Sequence, residues 1–156
     1  MVEQLNLWVD ALHPVWQFLA VFVIGVVPFL ESYTGTLVGT ITGMPVLLAA
    51  AGAIAGNVLA LVVAVRLGDR ARRGLGRRAS RPPSERRRKV IARVDRYGVP
   101  VASLLAPTLL AISVTAFGMV AAGLDRRQVV IWQVVAVVVW AALFAAIGLG
   151  ALSAFG

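Results

Sequence analysis

The segment VVPFLESYTGTLVGTITG, from Val26 to Gly43, places one carboxylate, Glu31, inside a long apolar run. The first basic residue of the chain is Arg66, so the local sequence offers this acid no opposite charge. A charged side chain at the centre of a bilayer costs about 2.5–3.5 kcal/mol on the least severe scales. Pro28 and three glycines interrupt the helical pattern around the acid. The segment therefore predicts a broken helix that carries Glu31 for a functional reason, the alternative being a neutral carboxyl or a helix cap at the interface.

The composition of the whole chain indicates a membrane environment. Of 156 residues, 60% are hydrophobic and 14% are charged, against about 25% charged residues in soluble domains. The basic residues all lie between Arg66 and Arg127, and uncharged apolar runs flank them on both sides. Runs longer than about 18 residues are typical of membrane-spanning helices. We expect an all-helical, multi-pass integral membrane protein of the cell (inner or plasma) membrane.

Several function classes lack their characteristic residues. The chain has no cysteine and a single histidine, His13, so a Cys-based or His-clustered metal site is not expected. The sequence shows no phosphate-binding glycine loop, nucleophile elbow or paired-carboxylate motif. The arginine-rich segment has no interleaved aromatic residues, which argues against a nucleic-acid partner. We expect neither an enzyme nor a bound cofactor or metal.

The N-terminal half predicts four segments in order. Residues 1–13 are predicted to form a short amphipathic helix in the membrane interface. From Ser32 to Val65 the chain carries no charge, and about 34 helical residues would extend about 51 Å, against a hydrocarbon core of about 30 Å. The excess length predicts a re-entrant helical hairpin over 14–43, followed by a transmembrane helix over 44–67. Residues 68–96 are predicted to be a basic cytoplasmic loop, with a short helix from Pro83 to Arg96 as an option.

The C-terminal half repeats this plan. If residues 97–124 crossed the membrane, Arg126 and Arg127 would lie outside, against the positive-inside rule. A second re-entrant hairpin over 97–124, followed by a transmembrane helix over 129–155, agrees with the charges. The two halves would then form an inverted repeat, an architecture common in transporters. A weak sequence correspondence supports it, in which Pro28, Leu30, Thr36 and Gly39 have the same relative spacing as Pro107, Leu109, Thr115 and Gly118.

Two motifs, PFLES at Pro28–Ser32 and RYGVP…LLAPT at Arg96–Thr108, together with AGAIAGNVLALVVAV and the basic loop between them, resemble the bacterial small multidrug export (efflux) proteins. Those proteins are similar to the DedA membrane family with its VTT-type core. The resemblance covers the chain from about Phe22 to the end. It implies paired re-entrant hairpins, an acid in the membrane at Glu31, and proton-coupled transport of small molecules or of lipid carriers. The DedA pattern has basic residues in its second re-entrant segment, where this chain has Ala106, Pro107 and Thr108.

Glu31 is the predicted proton-coupling residue. Polar and helix-breaking residues of both hairpins, and one amide, are candidates for a substrate path: Pro28, Tyr33, Thr34, Thr36, Asn57, Pro107, Thr108, Ser113 and Thr115. For the hydroxyl residues the alternative is to satisfy backbone groups freed by glycine and proline. For Asn57, on a face of small residues, a hydrogen bond to a neighbouring helix is favoured over a substrate contact. The small residues Gly52, Gly56 and Ala60 predict close helix packing, within the chain or in a homo-oligomer.

The basic loop is predicted to set topology and to contact anionic lipids, through Arg70, Arg72, Arg73, Arg77, Arg78, Arg86, Arg87, Arg88 and Lys89. Two readings of function follow from these features. The first is a membrane transporter, a proton-coupled exporter of small molecules or a flippase of lipid carriers. The alternative is a non-transporting membrane scaffold that binds anionic lipid or a partner through the loop. A simple pore would favour unbroken spanning helices.

Overall fold

The computed structural model describes residues 14–78 and 98–155, with side chains for 14–74 and 98–154. These residues form helices and turns, with no strand among them. The helices are α1 (Pro14–Val26), α2 (Glu31–Ile41), α3 (Val46–Arg78), α4 (Val99–Leu109), α5 (Ile112–Ala122) and α6 (Arg126–Phe155). The prediction of an all-helical chain is therefore confirmed for the described residues. The predicted interfacial helix over 1–13 and the helix option at Pro83–Arg96 lie outside them.

Each half of the chain contains two short helices followed by one long helix. The long helices include candidate membrane spans of 29 residues each, Val46–Gly74 and Arg126–Ala154, whose most apolar 18-residue windows have mean hydropathies of 2.4 and 2.5. By length and composition both are able to cross a membrane. Only 33% and 22% of their most apolar windows are buried, whereas the core helix of a soluble protein would be mostly buried. The two helices therefore indicate association with a membrane.

Exposed apolar side chains occur on all the described helices. Examples are Trp16 on α1, Ile41 on α2, Leu47 on α3, Leu109 on α4, Phe117 on α5 and Ile131 on α6. Leu47 and Leu109 are each 80% exposed. Soluble monomers rarely expose apolar surface this extensively. Such a surface is the one that lipid tails would cover.

One prediction about the basic loop is wrong in part. Residues 68–78 belong to α3, which continues to Arg78 rather than ending at 67. Arginine, alanine and leucine are good helix formers, so they offset the cost of about 1 kcal/mol for each of Gly74 and Gly76. Gly68 also lies against α5, where a Cβ would come within 2.8 Å of the Phe117 carbonyl oxygen. That close packing holds the helix where composition alone suggested a loop.

The short helices of each half are separated by a break near a proline. Residues 27–30 lie between α1 and α2. Left-handed backbone angles occur at Phe29 (φ 72°), inside this break, and at Glu31 (φ 53°), directly after it. The second break, Leu110 and Ala111, follows α4, and Pro107 lies inside the last turn of that helix. The two prolines are thus placed differently, Pro28 between helices and Pro107 within one. In each half a short helix ends two residues from a proline, which lacks a backbone donor.

The chain divides into two compact units, and each long helix contributes to both. The first unit contains residues 14–60 and 137–155 of the described chain. In it α1 packs against α3 at backbone contact: a Cβ on Gly25 would overlap the carbonyl oxygen of Ala53, and one on Gly56 would overlap that of Phe22. Gly52 of α3 faces Val21 and Phe18 of α1. Close packing at Gly52 and Gly56 is therefore confirmed within the chain.

The second unit contains residues 61–78 and 98–136. Its core is formed by buried side chains of α3, α4, α5, α6 and the turn between α5 and α6, namely Leu61, Val65, Val99, Ala116, Val120, Leu124 and Val129. Near the start of α6, Arg126 Nη1 lies 3.3 Å from Asp69 Oδ2 of α3. Asp125 Oδ1 accepts a hydrogen bond of 2.8 Å from the backbone N–H of Gln128, which caps the helix N-terminus. The late part of α3 and the start of α6 therefore lie on the same side of this unit.

Candidate functional site

The buried face of α2 consists of acidic, hydroxyl and glycine residues rather than large apolar ones. Its members occur in pairs four residues apart: Glu31 and Ser32, Gly35 and Thr36, Gly39 and Thr40. This spacing places them along one side of a helix. The glycines admit α3 closely, since a Cβ on Gly35 or Gly39 would come within 2.8 or 2.6 Å of the Cβ of Ala53 or Ala49. The small residues thus draw a polar face into the interior of the first unit.

Glu31 is the first residue of α2 and is 1% exposed. Among the described residues it is the only buried acid, since Asp69 is half-buried and Asp125 is exposed. Its backbone is in the left-handed region, which costs a non-glycine residue about 1–2 kcal/mol. Both burial and backbone strain are typical of residues with a functional role. The structure therefore places the predicted acid in the interior, at a helix break.

Ser32 connects three helices. Its Oγ donates a hydrogen bond of 3.1 Å to the carbonyl oxygen of Val137 on α6, and it accepts one of 3.3 Å from Asn57 Nδ2 on α3. Ser32 and Asn57 are fully buried. The favoured prediction for Asn57, a bond to a neighbouring helix, is confirmed for its amide nitrogen.

Two buried polar atoms near this connection have no hydrogen-bond partner among the described residues, Thr36 Oγ1 and Asn57 Oδ1. Other threonines of the same segment behave differently. The Thr40 hydroxyl donates a hydrogen bond of 2.8 Å to the Thr36 carbonyl oxygen, and the Thr42 hydroxyl donates one of 2.8 Å to the Val38 carbonyl oxygen. An unsatisfied buried polar atom costs about 1–3 kcal/mol.

The remaining candidates of the first unit are not on the buried face of α2. Pro28 is exposed in the turn before α2, and Thr34 is half-buried. The Tyr33 hydroxyl donates a hydrogen bond of 2.7 Å to the Phe29 carbonyl oxygen. The Tyr33 ring lies 5.2 Å from that of Phe144 and 6.1 Å from that of Trp140, measured between centroids. Tyr33 thus belongs to an aromatic group that joins α2 to α6.

The candidates of the second hairpin lie in the second unit. Thr108 is exposed, and its hydroxyl donates a hydrogen bond of 2.6 Å to the Leu105 carbonyl oxygen. The Oγ atoms of Ser113 and Thr115 are buried and have no partner among the described residues, like Ser103 Oγ and Gln133 Oε1. Thr115 lines an open, apolar cavity of about 600 Å³ beside α4, together with Gly98, Val101, Ala102, Leu105, Ala106, Leu109 and Leu110. Pro107 lies half-buried in the same helix.

The basic residues are described only in part. Arg70, Arg72 and Arg73 are exposed on the late part of α3. Arg77 and Arg78 belong to the helix, with side chains outside the described set, and Arg86, Arg87, Arg88 and Lys89 lie outside the described residues altogether. The described part of the predicted lipid-contact segment is therefore a cationic, exposed helix end.

Comparisons with models of known protein families, with curated proteins and with solved structures found no match to this chain. Sequence reasoning missed one polar residue of the buried face, Ser32. The signal for it is the repeated pair in ESYTGTLVGT, in which glutamate–serine, glycine–threonine and glycine–threonine recur at a spacing of four. That spacing marks a single helix face.

Proposed function

We propose that this chain is a membrane transporter coupled to protons at Glu31. The observation that carries the proposal is the burial of this one carboxylate at a helix break, on a helix face otherwise made of small and hydroxyl residues. An acid placed among membrane-embedded helices is typical of proton relays in pumps and transporters. A carboxyl group in such a position can hold a proton and release it when the surroundings change.

The order of the helices is the basis for the architecture that we propose. Each half has two short helices broken near a proline and one long apolar helix. In transporters built from inverted repeats, broken segments of this kind meet near the membrane midplane and bind substrate and coupling ions. We propose that α1–α2 and α4–α5 are re-entrant hairpins of a DedA-like inverted repeat, in the inner or plasma membrane.

The proposed substrate is amphipathic, either a small molecule or a lipid carrier. The cavity beside α4 supports this class, since its lining is apolar apart from Thr115. The Thr115 hydroxyl has no partner among the described residues, so it is available to a polar group of a substrate in this cavity. The Ser113 hydroxyl also has no described partner but is not on the cavity lining. The Ala-Pro-Thr sequence at 106–108 supplies no positive charge for a phosphate.

Reconstituted protein with and without Glu31→Gln tests the coupling. Glutamine keeps the shape and hydrogen-bonding capacity of glutamate but cannot titrate. In liposomes with an imposed pH gradient, the wild-type protein should drive ethidium or a fluorescent short-chain lipid across the membrane, and internal pyranine should report the proton flux. Glu31→Gln should abolish both signals, and Glu31→Asp should retain part of them. Asp69→Asn, the same kind of change at a half-buried acid of the second unit, should transport like the wild type.

A folded Glu31→Gln protein with undiminished proton-coupled transport would contradict the mechanism. Thermal stability of each variant in detergent shows whether lost transport reflects unfolding. The alternative, a scaffold that binds anionic lipid, is supported by the exposed Arg70, Arg72 and Arg73. It predicts that glutamine at these three positions reduces retention of anionic lipid during purification, and that no variant transports either probe.

A further inference from the structure

We infer that one face of α3 binds an anionic phospholipid, whose headgroup lies against Arg66, Arg70 and Arg73. This surface belongs to the second unit. It goes beyond the proposed transport, since it requires only that α3 crosses a membrane. We call these three residues the arginine stripe.

The arginine stripe exists because α3 continues as a helix to Arg78. Its members follow one another at spacings of four and three residues, which places them on one helix face. All three side chains are exposed, and none has an ion-pair or hydrogen-bond partner among the described residues. The acid nearest to them in sequence, Asp69, lies 3.3 Å from Arg126 instead. The positive charge of the stripe is therefore open to an external anion.

The opposite side of α3 faces the protein. Leu61 and Val65 belong to the buried core of the second unit, and a Cβ on Gly68 would come within 2.8 Å of a carbonyl oxygen of α5. Arg72 continues this side, since a Cβ on Gly123 at the end of α5 would lie 3.7 Å from its Nε. At 3.6 residues per turn, these positions are roughly 140° around the helix from the arginine stripe. The stripe thus points away from the core of its unit.

The arginine stripe begins where the uncharged part of α3 ends. The 20 residues from Val46 to Val65 carry no charge and extend about 30 Å as a helix, which is the thickness of the hydrocarbon core. Arg70 and Arg73 follow Arg66 by about 6 and 10 Å along the axis. Side chains of a helix tilt toward its N-terminus, which is the membrane side here. The three charges therefore lie at the level of the lipid phosphates.

Exposed apolar side chains continue the same side of α3 into the hydrocarbon level. Val63 is 47% exposed and Leu67 is 46% exposed, and each lies three residues before an arginine of the stripe, which makes them neighbours on the helix surface. A phospholipid presents acyl chains and a phosphate at these two levels. Guanidinium groups bind phosphate through charge-assisted, bidentate hydrogen bonds, and their positive charge favours a lipid with net negative charge.

Native mass spectrometry of the purified chain in detergent measures the apparent Kd of single lipids, with palmitoyl-oleoyl phosphatidylglycerol as the anionic probe and the matching phosphatidylcholine as the zwitterionic one. We expect the wild type to prefer phosphatidylglycerol. Arg66→Gln with Arg70→Gln should raise the apparent Kd of phosphatidylglycerol about thirtyfold, equivalent to about 2 kcal/mol for two lost charge contacts. Arg66→Lys with Arg70→Lys keeps the charge and should keep most of the preference.

The matched control is Arg72→Gln with Arg126→Gln, which also removes two positive charges, one beside α5 and one paired with Asp69. It should leave the apparent Kd of phosphatidylglycerol near the wild-type value. Equal losses for the two glutamine pairs would indicate general attraction by the whole basic segment and overturn the inference. A wild type without preference for phosphatidylglycerol would overturn it too, and would leave an acidic protein as the partner of these arginines.

Thermal stability in detergent shows that each variant is folded. Lipid binding is measured without transport, so the two proposals fail separately. A protein that prefers phosphatidylglycerol through the arginine stripe but moves neither transport probe contradicts the proposed transport alone. Proton-coupled transport by a protein indifferent to the lipid charge contradicts the lipid surface alone.

Discussion

Ser32 shows how a single side chain joins the elements around the acid. Its hydroxyl donates to α6 and accepts from α3 while its own backbone belongs to α2. Without it, the buried Asn57 amide nitrogen loses its hydrogen-bond acceptor, and the Val137 carbonyl oxygen loses the Ser32 donor. Interhelical hydrogen bonds between membrane helices average about 0.6 kcal/mol, with a maximum near 1.7 kcal/mol. The contribution of Ser32 therefore lies in positioning as much as in free energy.

Ser32→Ala should lower the thermal stability of the purified protein by the equivalent of about 1 kcal/mol. Fluorescence-detected size exclusion after heating measures the change. The control is Ser153→Ala, since Ser153 is exposed and donates only to the nearby Gly150 carbonyl oxygen. Equal midpoints for the two variants would show that the Ser32 connection carries no stability.

At the scale of helices, the contact of α1 with α3 depends on the absence of side chains. Gly56→Ala places a Cβ against the Phe22 carbonyl oxygen, so the helices must separate. Overpacking of this kind costs about 1–3 kcal/mol, and we expect a lower midpoint of thermal unfolding in detergent.

Gly118→Ala provides the matched control on α5. A Cβ there has no other atom within 4 Å, and alanine is the better helix former by about 1 kcal/mol. The two identical substitutions should therefore change stability in opposite directions. A Gly56→Ala protein as stable as the wild type would contradict the close contact of α1 with α3.

At the scale of the whole molecule, the charges predict the topology. We expect the cytoplasmic side to hold the basic segment and the start of α6, with both termini outside. The Asp69–Arg126 ion pair supports a common side for the two charged segments.

Single cysteines in this cysteine-free chain test that arrangement. Cysteines at Gly74 and Gln128 should resist a membrane-impermeant maleimide in intact cells and react after permeabilisation. A cysteine at Ser153, near the other end of α6, should react in intact cells. Rapid labelling at Gln128 with protection at Ser153 would reverse the assigned orientation, and labelling at Gln128 but not Gly74 would contradict the re-entrant second hairpin.

Sequence alone determined the helix class, the two long apolar helices and the break before Glu31, because each depends on local composition and spacing. It also singled out Glu31, since a lone acid in an apolar run is visible without a structure. The end of α3 was not predictable in this way, because Gly68 lies against a helix about 50 residues later in the chain. Only the tertiary structure joined Ser32, Asn57 and Val137, and only it left Thr36 without a described partner while Thr40 has one. Hydrogen bonding across helices depends on which faces meet, and that is decided by the packing of small residues over the whole fold.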